Sequence, residues 1–455
     1  DTAAVIARAL DPADLAVLAG EVWERWMAAG AQSKTKWVLA FAAVFGGAAM
    51  TPRLQHAIND WPQHARGAIA CDAVMALALS DDPAALLVVD SISRKFKFRQ
   101  VKAAAAAALD NAAKELGITS EQLADRIVPD LGFSAEGVRW FDYGPRRFSV
   151  RLTPTLELSI TNDAGKPVKN LPAPGKSDDA EKAAAAYDAF KTMKKQIRTT
   201  VATQKARLEA ALAAQRCWDA PAWEALFVGN PIMHQFAISL IWGVYREERL
   251  TDTFRYMEDG SFNTAEEEEY TLPDDAQIGL VHPVELDQAA LEAWKQQLED
   301  YEITPSIPQL DRPVYLADDQ EKTSSRLERF GGKKLNGLSL SGKLQSQGWY
   351  RGSVQDGGGF YTFYREDSTL GLGVELNFSG CFVGDENEEI TVYDAVFYKA
   401  GTVRRGSYCY DTPKESDILL LGQVPARYYS EIVYQLTRAT ASSTETDPDW
   451  KTSRP

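Results

Sequence analysis

Within nine residues, 140–148, the chain changes character. The stretch reads Trp-Phe-Asp-Tyr-Gly-Pro-Arg-Arg-Phe. Before it lies an alanine-rich region with helical periodicity. After it, apolar and polar residues alternate as in strands. Four aromatics, two arginines and a Gly-Pro turn at one junction speak against a single all-helical or all-β fold. They predict a multi-domain α+β chain with a boundary near residue 130. At 455 residues the chain is also long for one hydrophobic core, which calls for about two to four modules. Trp140, Phe141, Tyr143 and Phe148 are expected to be buried where the helical and mixed regions meet, because large aromatics contribute most by burial.

Residues 1–130 read as all-helical. Apolar residues recur three and four positions apart: Leu15, Leu18, Val22, Trp26, then Trp37, Phe41, Val44, Phe45. Breaks fall near Gly30, Gly46-Gly47, Trp61-Pro62, Asp81-Asp82-Pro83 and Gly117. Thr51 before Pro52 has the form of an N-cap, and Ser120 before Glu121 resembles another. The longest apolar run, 37–50, is too short to span a bilayer and fits a buried helix. Segments of this length with short turns predict an N-terminal α-solenoid of HEAT-like repeats. The chain opens at Asp1 inside this helical pattern, which reads as a piece of something longer.

Residues 131–320 form a mixed α+β region. Phe148, Val150 and Leu152, then Leu156, Leu158 and Ile160, predict a hairpin, with a turn signal at 162–165. A Pro/Gly-rich linker, 170–177, precedes Asp178-Asp179, which opens a long helix over 178–216, about 58 Å long. Its narrow apolar stripe predicts a strut packed on one side. Residues 221–245 read as a second helical block, and 287–299 as another helix after His282-Pro283. The 321–440 part is β-rich, with strands expected at 350–354, 360–365, 370–378 and 390–399 and a closing helix at 430–437. A polar tail, 441–455, is expected to fray.

Charge is unevenly spread. The net −15 divides into −2 over residues 1–130, +4 over 131–250 and −17 over 251–455. The acidic C-terminal part repels phosphate backbones, so no sequence-specific nucleic-acid binding is expected. Cys71, Cys217, Cys381 and Cys409 lack Cys-x-x-Cys spacing and fit reduced thiols in the cytoplasm. No metal site or cofactor is expected, because the sparse His and Cys residues show no ligand spacing. No membrane association is expected either.

No cluster names a reaction. His282 in Val-His-Pro-Val is the best acid/base candidate, since histidine titrates near neutrality, although a histidine before proline at a strand end is more often structural. Arg255 and Asp259, with Glu258, lie close together before Gly260 and fit either a polar ligand or ordinary turn chemistry. Arg146, Arg147 and Arg312 are candidate ligand-binding arginines. The first two could grip an anion bidentately, but a salt bridge to the acidic half competes. His234 reads as a core histidine, and His56 and His64 as surface positions. Gly357-Gly358-Gly359 lacks the Lys-Ser/Thr of a phosphate loop. The lysine- and arginine-rich face of the long helix, Lys191 to Arg207, reads as a solvated face.

The ensemble of Trp140-Phe-Asp-Tyr-Gly-Pro-Arg-Arg-Phe148, Gln204-x-x-Arg207-Leu208-Glu209, Asn230-Pro231, Phe254-Arg255-x-x-Glu258-Asp259-Gly260, His282-Pro283 and Gln309-Leu-x-Arg312 resembles the MolR-type, molybdate-metabolism-regulator-like bacterial proteins. The resemblance covers about residues 95–435, and the family shares a domain of unknown function. It implies protein partners, namely a MoxR-type AAA ATPase or a von Willebrand A protein, and carries over no catalytic residues. Larger members are similar in bearing upstream helical repeats and sometimes a WGR nucleic-acid module, which has no counterpart here. The leading expectation is a non-enzymatic interaction or scaffold protein. Its rivals are an enzyme with a site near Arg255, Asp259 and His282, and a transcriptional regulator.

Overall fold

In the computed structural model, which describes residues 10–367, 369–405 and 411–452, the first described helix begins where a capping aspartate meets a proline. Asp11 accepts the Ala13 N–H at 2.7 Å, and Pro12 sits in the first turn, where no backbone donor is needed. The chain divides into two compact units, Asp1–Gly132 and Phe133–Pro455. The whole is mixed α+β.

The described residues of the first unit carry helices and no strand: α1 (Pro12–Ala28), α2 (Trp37–Phe45), α3 (Met50–Asp60), α4 (Gly67–Leu77), α5 (Pro83–Lys95), α6 (Arg99–Glu115) and α7 (Ser120–Arg126). Their three-and-four spacing feeds one apolar core, where Trp23, Trp26 and Trp61 meet at ring separations of 5.7 to 6.4 Å. Two expected caps shift. Helix α3 starts at Met50, and the Thr51 hydroxyl donates to Asp82 instead. Helix α7 is capped by Thr119 in a reciprocal box with Gln122, so Ser120 is already helical. The run 37–50 is not a wholly buried helix. Helix α2 stops at Phe45, and its Trp37 is 59% exposed.

The second unit opens with a four-stranded antiparallel sheet of β1 (Val138–Asp142), β2 (Arg147–Leu152), β3 (Leu158–Asn162) and β4 (Pro167–Val168). The Gly-Pro turn at the junction therefore closes a hairpin. Leu156 lies in the β2–β3 turn at φ 64 rather than in a strand. Phe141, Tyr143 and Phe148 are buried, Phe141 against Phe190 at 5.5 Å and Tyr143 against Phe148 at 5.2 Å. Trp140 is 56% exposed, contrary to expectation. Alternation along β1 turns it to the opposite face from Phe141.

Helix α8 (Ala180–Ala213) is the expected strut, about 51 Å long. Asp179 caps it, accepting from Glu181 and Lys182. Phe190, Met193, Ile197, Thr200, Gln204, Leu208 and Leu212 form its buried stripe. It ends before residue 216 because Gln215 adopts φ 51 and turns the chain into β5 (Cys217–Asp219).

The 221–245 block is helical only in part. Helix α9 (Pro231–Ala237) gives way to β6 (Ile241–Arg246), an almost wholly buried strand in a five-stranded sheet ordered β5-β9-β6-β7-β8. A strand buried on both faces has no alternation to reveal it. Its neighbours are β7 (Arg249–Tyr256), β8 (Phe262–Asn263) and β9 (Gln277–Leu280), followed by α10 (Gln288–Asp300).

The last sheet is six-stranded, ordered β11-β12-β13-β14-β10-β15. It comprises β10 (Lys333–Asn336), β11 (Tyr350–Arg351), β12 (Gly359–Asp367), β13 (Leu372–Phe382), β14 (Glu389–Lys399) and β15 (Glu445–Thr446). Helices α11 (Gly337–Ser346) and α12 (Ala426–Thr440) contribute Leu340, Leu344, Ile432 and Leu436 to its core. The tail is not frayed through residue 452. Strand β15 pairs with β10, and Trp450 is buried, stacked on Tyr393 at 6.2 Å. Among the described residues no helix is long and apolar enough to cross a membrane.

Candidate functional site

His282 follows β9 and caps the short turn Pro283–Glu285. Its Nδ1 accepts the Val284 N–H at 3.0 Å, so that nitrogen carries no proton. Its Nε2 then donates to Glu431 Oε1 at 3.0 Å. This hydrogen-bond pattern assigns a neutral ring with both nitrogens used. The side chain has no exposed surface.

Glu431 sits on α12, one turn beyond Arg427. Arg312 Nε donates to Glu431 Oε1 at 2.5 Å, its Nη1 to the Pro308 carbonyl at 2.6 Å, and its Nη2 lies 3.6 Å from Glu209 on α8. The Tyr434 ring lies under the guanidinium. Arg427 reaches the other way. Its Nη1 donates to the carbonyls of Leu212 and Leu280 at 3.0 and 3.1 Å, and its Nη2 to Tyr245 Oη and Glu285. Tyr245 also donates to Glu285 at 2.9 Å. The Leu212 carbonyl belongs to the last turn of α8, where carbonyls lack helical partners and a cation is favoured. One face of α12 thus ties together the end of α8, β6, β9, the 283–285 turn and the 308–312 segment.

The electrostatics agree with this assignment. Burial holds His282 below the usual histidine range, against the pull of Glu431. Burial acts to raise the Glu431 carboxyl, but the His282 and Arg312 contacts outweigh it and hold the group below the usual range. Burial acts to lower Arg312, and Glu431 overcomes it. The cluster is a charged carboxylate, its guanidinium partner and a neutral imidazole. Buried ion pairs are costly to break from one side, so such a cluster fixes geometry more than it adds net stability. It offers no accessible base or nucleophile.

The remaining candidates are dispersed. Asp259 is exposed and caps its own hairpin turn, accepting from the Ser261 N–H at 3.0 Å and the Ser261 hydroxyl at 2.6 Å. Arg255 is buried against Met257 and Tyr301. The named partners of Arg255, Asp259 and His282 do not overlap, so the three do not form one constellation. Arg146 grips Asp178 bidentately at 2.9 and 2.8 Å, over the rings of Tyr143 and Phe148. Arg147 lies over Trp140 and 3.5 Å from Asp163. Both arginines pair within the basic middle part, not with the acidic half. His234 packs edge-on against Tyr256, and His56 and His64 are exposed. Cys71, Cys217 and Cys381 are free thiols, with burial pushing Cys217 and Cys381 up to about 11. Cys409 lies outside the described residues. Among the described residues no group of three His, Cys, Asp or Glu side chains could hold a metal ion.

Sequence reading missed Arg427, Glu431 and Tyr245. Starting α12 at Ser430 hid the Arg427–Glu431 pair. Read from Ala426, opposite charges four residues apart, Arg427 and Glu431, flanking Tyr428-Tyr429 and followed by Ile432-Val433, would have signalled ions facing a core.

A family model described as a domain of unknown function (DUF4132) matches residues 165–349. That span contains Glu209, Tyr245, His282, Glu285 and Arg312 but ends before Arg427 and Glu431. The uncharacterized protein YehI of Escherichia coli (strain K12) is 34% identical over 344 residues, covering 75% of this chain and 28% of its own length. The chain therefore spans little more than a quarter of that relative. No solved structure matches.

Proposed function

We propose that this chain acts without catalysis, as an interaction or scaffold module of a bacterial multi-protein system with a regulatory role in the cytoplasm. The reading keeps the MolR-type resemblance, takes the first unit as HEAT-like repeats, and names a MoxR-type AAA ATPase or a von Willebrand A protein as partner. The observation that carries it is the fate of His282. The residue best suited to acid/base work is neutral, fully buried and bonded at both nitrogens to structural partners. An aromatic row with an exposed tryptophan at its head, its two phenylalanines half-buried, supports an interaction role. Trp37, Phe41 and Phe45 follow one another along α2 at ring separations of 6.0 and 5.2 Å, with Trp37 and Val44 exposed. Apolar surface left open on a helix is a common mark of protein contact.

The test is co-elution of the purified protein with a MoxR-type ATPase or a von Willebrand A protein from the same genome. Complex formation that is lost in Trp37→Glu is the expected result. Absence of any complex, together with tight sequence-selective duplex binding in a gel shift at physiological salt, would replace this reading with the transcriptional regulator.

A further inference from the structure

Helix α8 carries an uninterrupted run of positive charge in a chain that is acidic overall. Between Asp188 and Glu209 it holds Lys191, Lys194, Lys195, Arg198, Lys205 and Arg207, and no aspartate or glutamate. The whole chain bears 64 acidic and 49 basic residues, so a span free of acid is a local departure. Exposed helix faces are ordinarily stabilised by opposite charges three or four residues apart. Here Lys191 and Lys195, and likewise Lys194 and Arg198, are like charges four apart, which works against the isolated helix.

The fold turns this run into a line. The buried stripe of α8 includes Phe190, Ile197 and Gln204. Lys191, Arg198 and Lys205 each follow one of those residues, and with Lys195 they recur four, three and seven positions apart. That spacing keeps them on one side of the helix, just beside the buried stripe, over about 21 Å. Lys191, Lys195 and Arg198 are exposed, and Lys205 is half-buried. Arg207, which donates to Gln204 Oε1 at 2.9 Å, lies round the helix from that line. Lys191 has an exposed partner in Asp188 at 3.1 Å. Lys194 donates to the Asn170 side-chain oxygen at 3.3 Å. Among the described residues no carboxylate lies within ion-pair distance of Lys195, Arg198 or Lys205.

We propose that this line is the docking face for a short acidic segment of a protein partner. Charge selects an anion, and the length of the line limits its size. An extended segment of about seven residues covers it. A duplex carries one charge per about 1.7 Å far beyond the line. The rest of the unit is acidic, with −17 over residues 251–455, so those further phosphates gain no cations. An anionic membrane is a poorer match, because interfacial helices pair their cations with large apolar residues. The exposed positions along this line are Thr192, Gln196, Ala202 and Ala206. The proposal goes beyond the interaction reading through α2. It adds a second surface, on the other unit and of charged rather than apolar chemistry, which Trp37→Glu would leave intact.

The test is fluorescence anisotropy of labelled heptaglutamate titrated with the whole chain. Saturable binding that weakens steeply as salt rises is expected. The combined variant Lys191→Gln, Lys195→Gln, Arg198→Gln and Lys205→Gln should weaken it at least about tenfold, the ordinary sum of four exposed ion pairs. Glutamine is as good a helix former as lysine, so the unfolding midpoint of this variant should be equal or higher. A second variant removes the same charge elsewhere, at the exposed Lys34, Lys102, Lys114 and Lys414, again by glutamine. It should bind within about twofold of the wild type, because distant charges are screened. Equal losses in the two variants would reduce the effect to net charge and overturn the proposal. So would a flat response to heptaglutamate at low salt. Binding of a short DNA duplex or of phosphatidylserine vesicles at least as tight as that of the peptide would overturn it as well. A doubled mass by light scattering in buffer alone, abolished in the first variant, would assign the face to a second copy instead.

Discussion

Around Trp61 in the first unit, the side chains that meet are carbon-rich, and the residues that bury them recur at helical spacing. Around His282 in the second unit, the side chains that meet include two arginines, two glutamates and a tyrosine, drawn from elements up to 215 residues apart in sequence. The two regions are buried to a similar degree but specified differently. An apolar core tolerates exchange of one hydrophobic side chain for another of similar volume, because the driving force is not directional. A buried charge network does not, because each member leaves its partner uncompensated when removed. The second unit should therefore be the more brittle of the two, to substitution and to acid.

That contrast can be broken from its strongest side first. Glu431→Ala strips the partner from Arg312 and His282 at once and should cost about 3 to 5 kcal/mol, read by chemical denaturation of the second unit. A loss below 1 kcal/mol would place the network outside the stability of the fold. Next comes Trp450→Ala, which tests whether the C-terminal tail belongs to the core. A buried aromatic of this kind should cost about 3 kcal/mol, and a frayed tail would cost nothing measurable.

Acid sharpens the comparison further. The folded state holds both His282 and Glu431 below their usual values. The unfolded chain thus binds more protons than the folded one as pH falls. Stability from His282 is complete above its ordinary value of 6.5 and is lost as pH falls below it. That from Glu431 is complete above 4.5 and is lost further down. The second unit should lose stability progressively below about pH 6.5, while Glu431→Gln should flatten the lower part of that decline. Equal acid sensitivity in both proteins would contradict the assignment. The smallest effect belongs to Trp140→Ala. The side chain is mostly exposed and touches Arg147 through its ring face, so the loss should stay below about 1 kcal/mol.

The same contrast explains what could be read from the sequence. Helices α1 to α7 were legible because apolar spacing, Asp-Pro starts and glycine breaks all act locally. The strut α8 was legible from Asp179 and its stripe, and its end was misplaced only by a left-handed Gln215. Strand β6 was not, since Ile-Trp-Gly-Val-Tyr is apolar on both faces and carries no period to separate strand from helix. Strand β1 was hidden in the aromatic junction, whose Gly-Pro turn looked like a boundary and closes a hairpin. His282 could be singled out by residue type alone. Its meaning could not, because Glu431 lies 149 residues away and nothing local links the two. Arg255 was legible as a charge beside a turn, but its burial against Met257 and Tyr301 is a property of packing alone.

The account turns on whether His282 is a structural or a titrating group. The chain has only four histidines, so selective labelling of the imidazoles and NMR observation against pH can resolve each one. His282 should remain a neutral ring protonated at Nε2 for as long as the second unit stays folded. A His282 signal that titrates reversibly near pH 6.5 in the folded protein would contradict the account and reopen the site to acid/base chemistry.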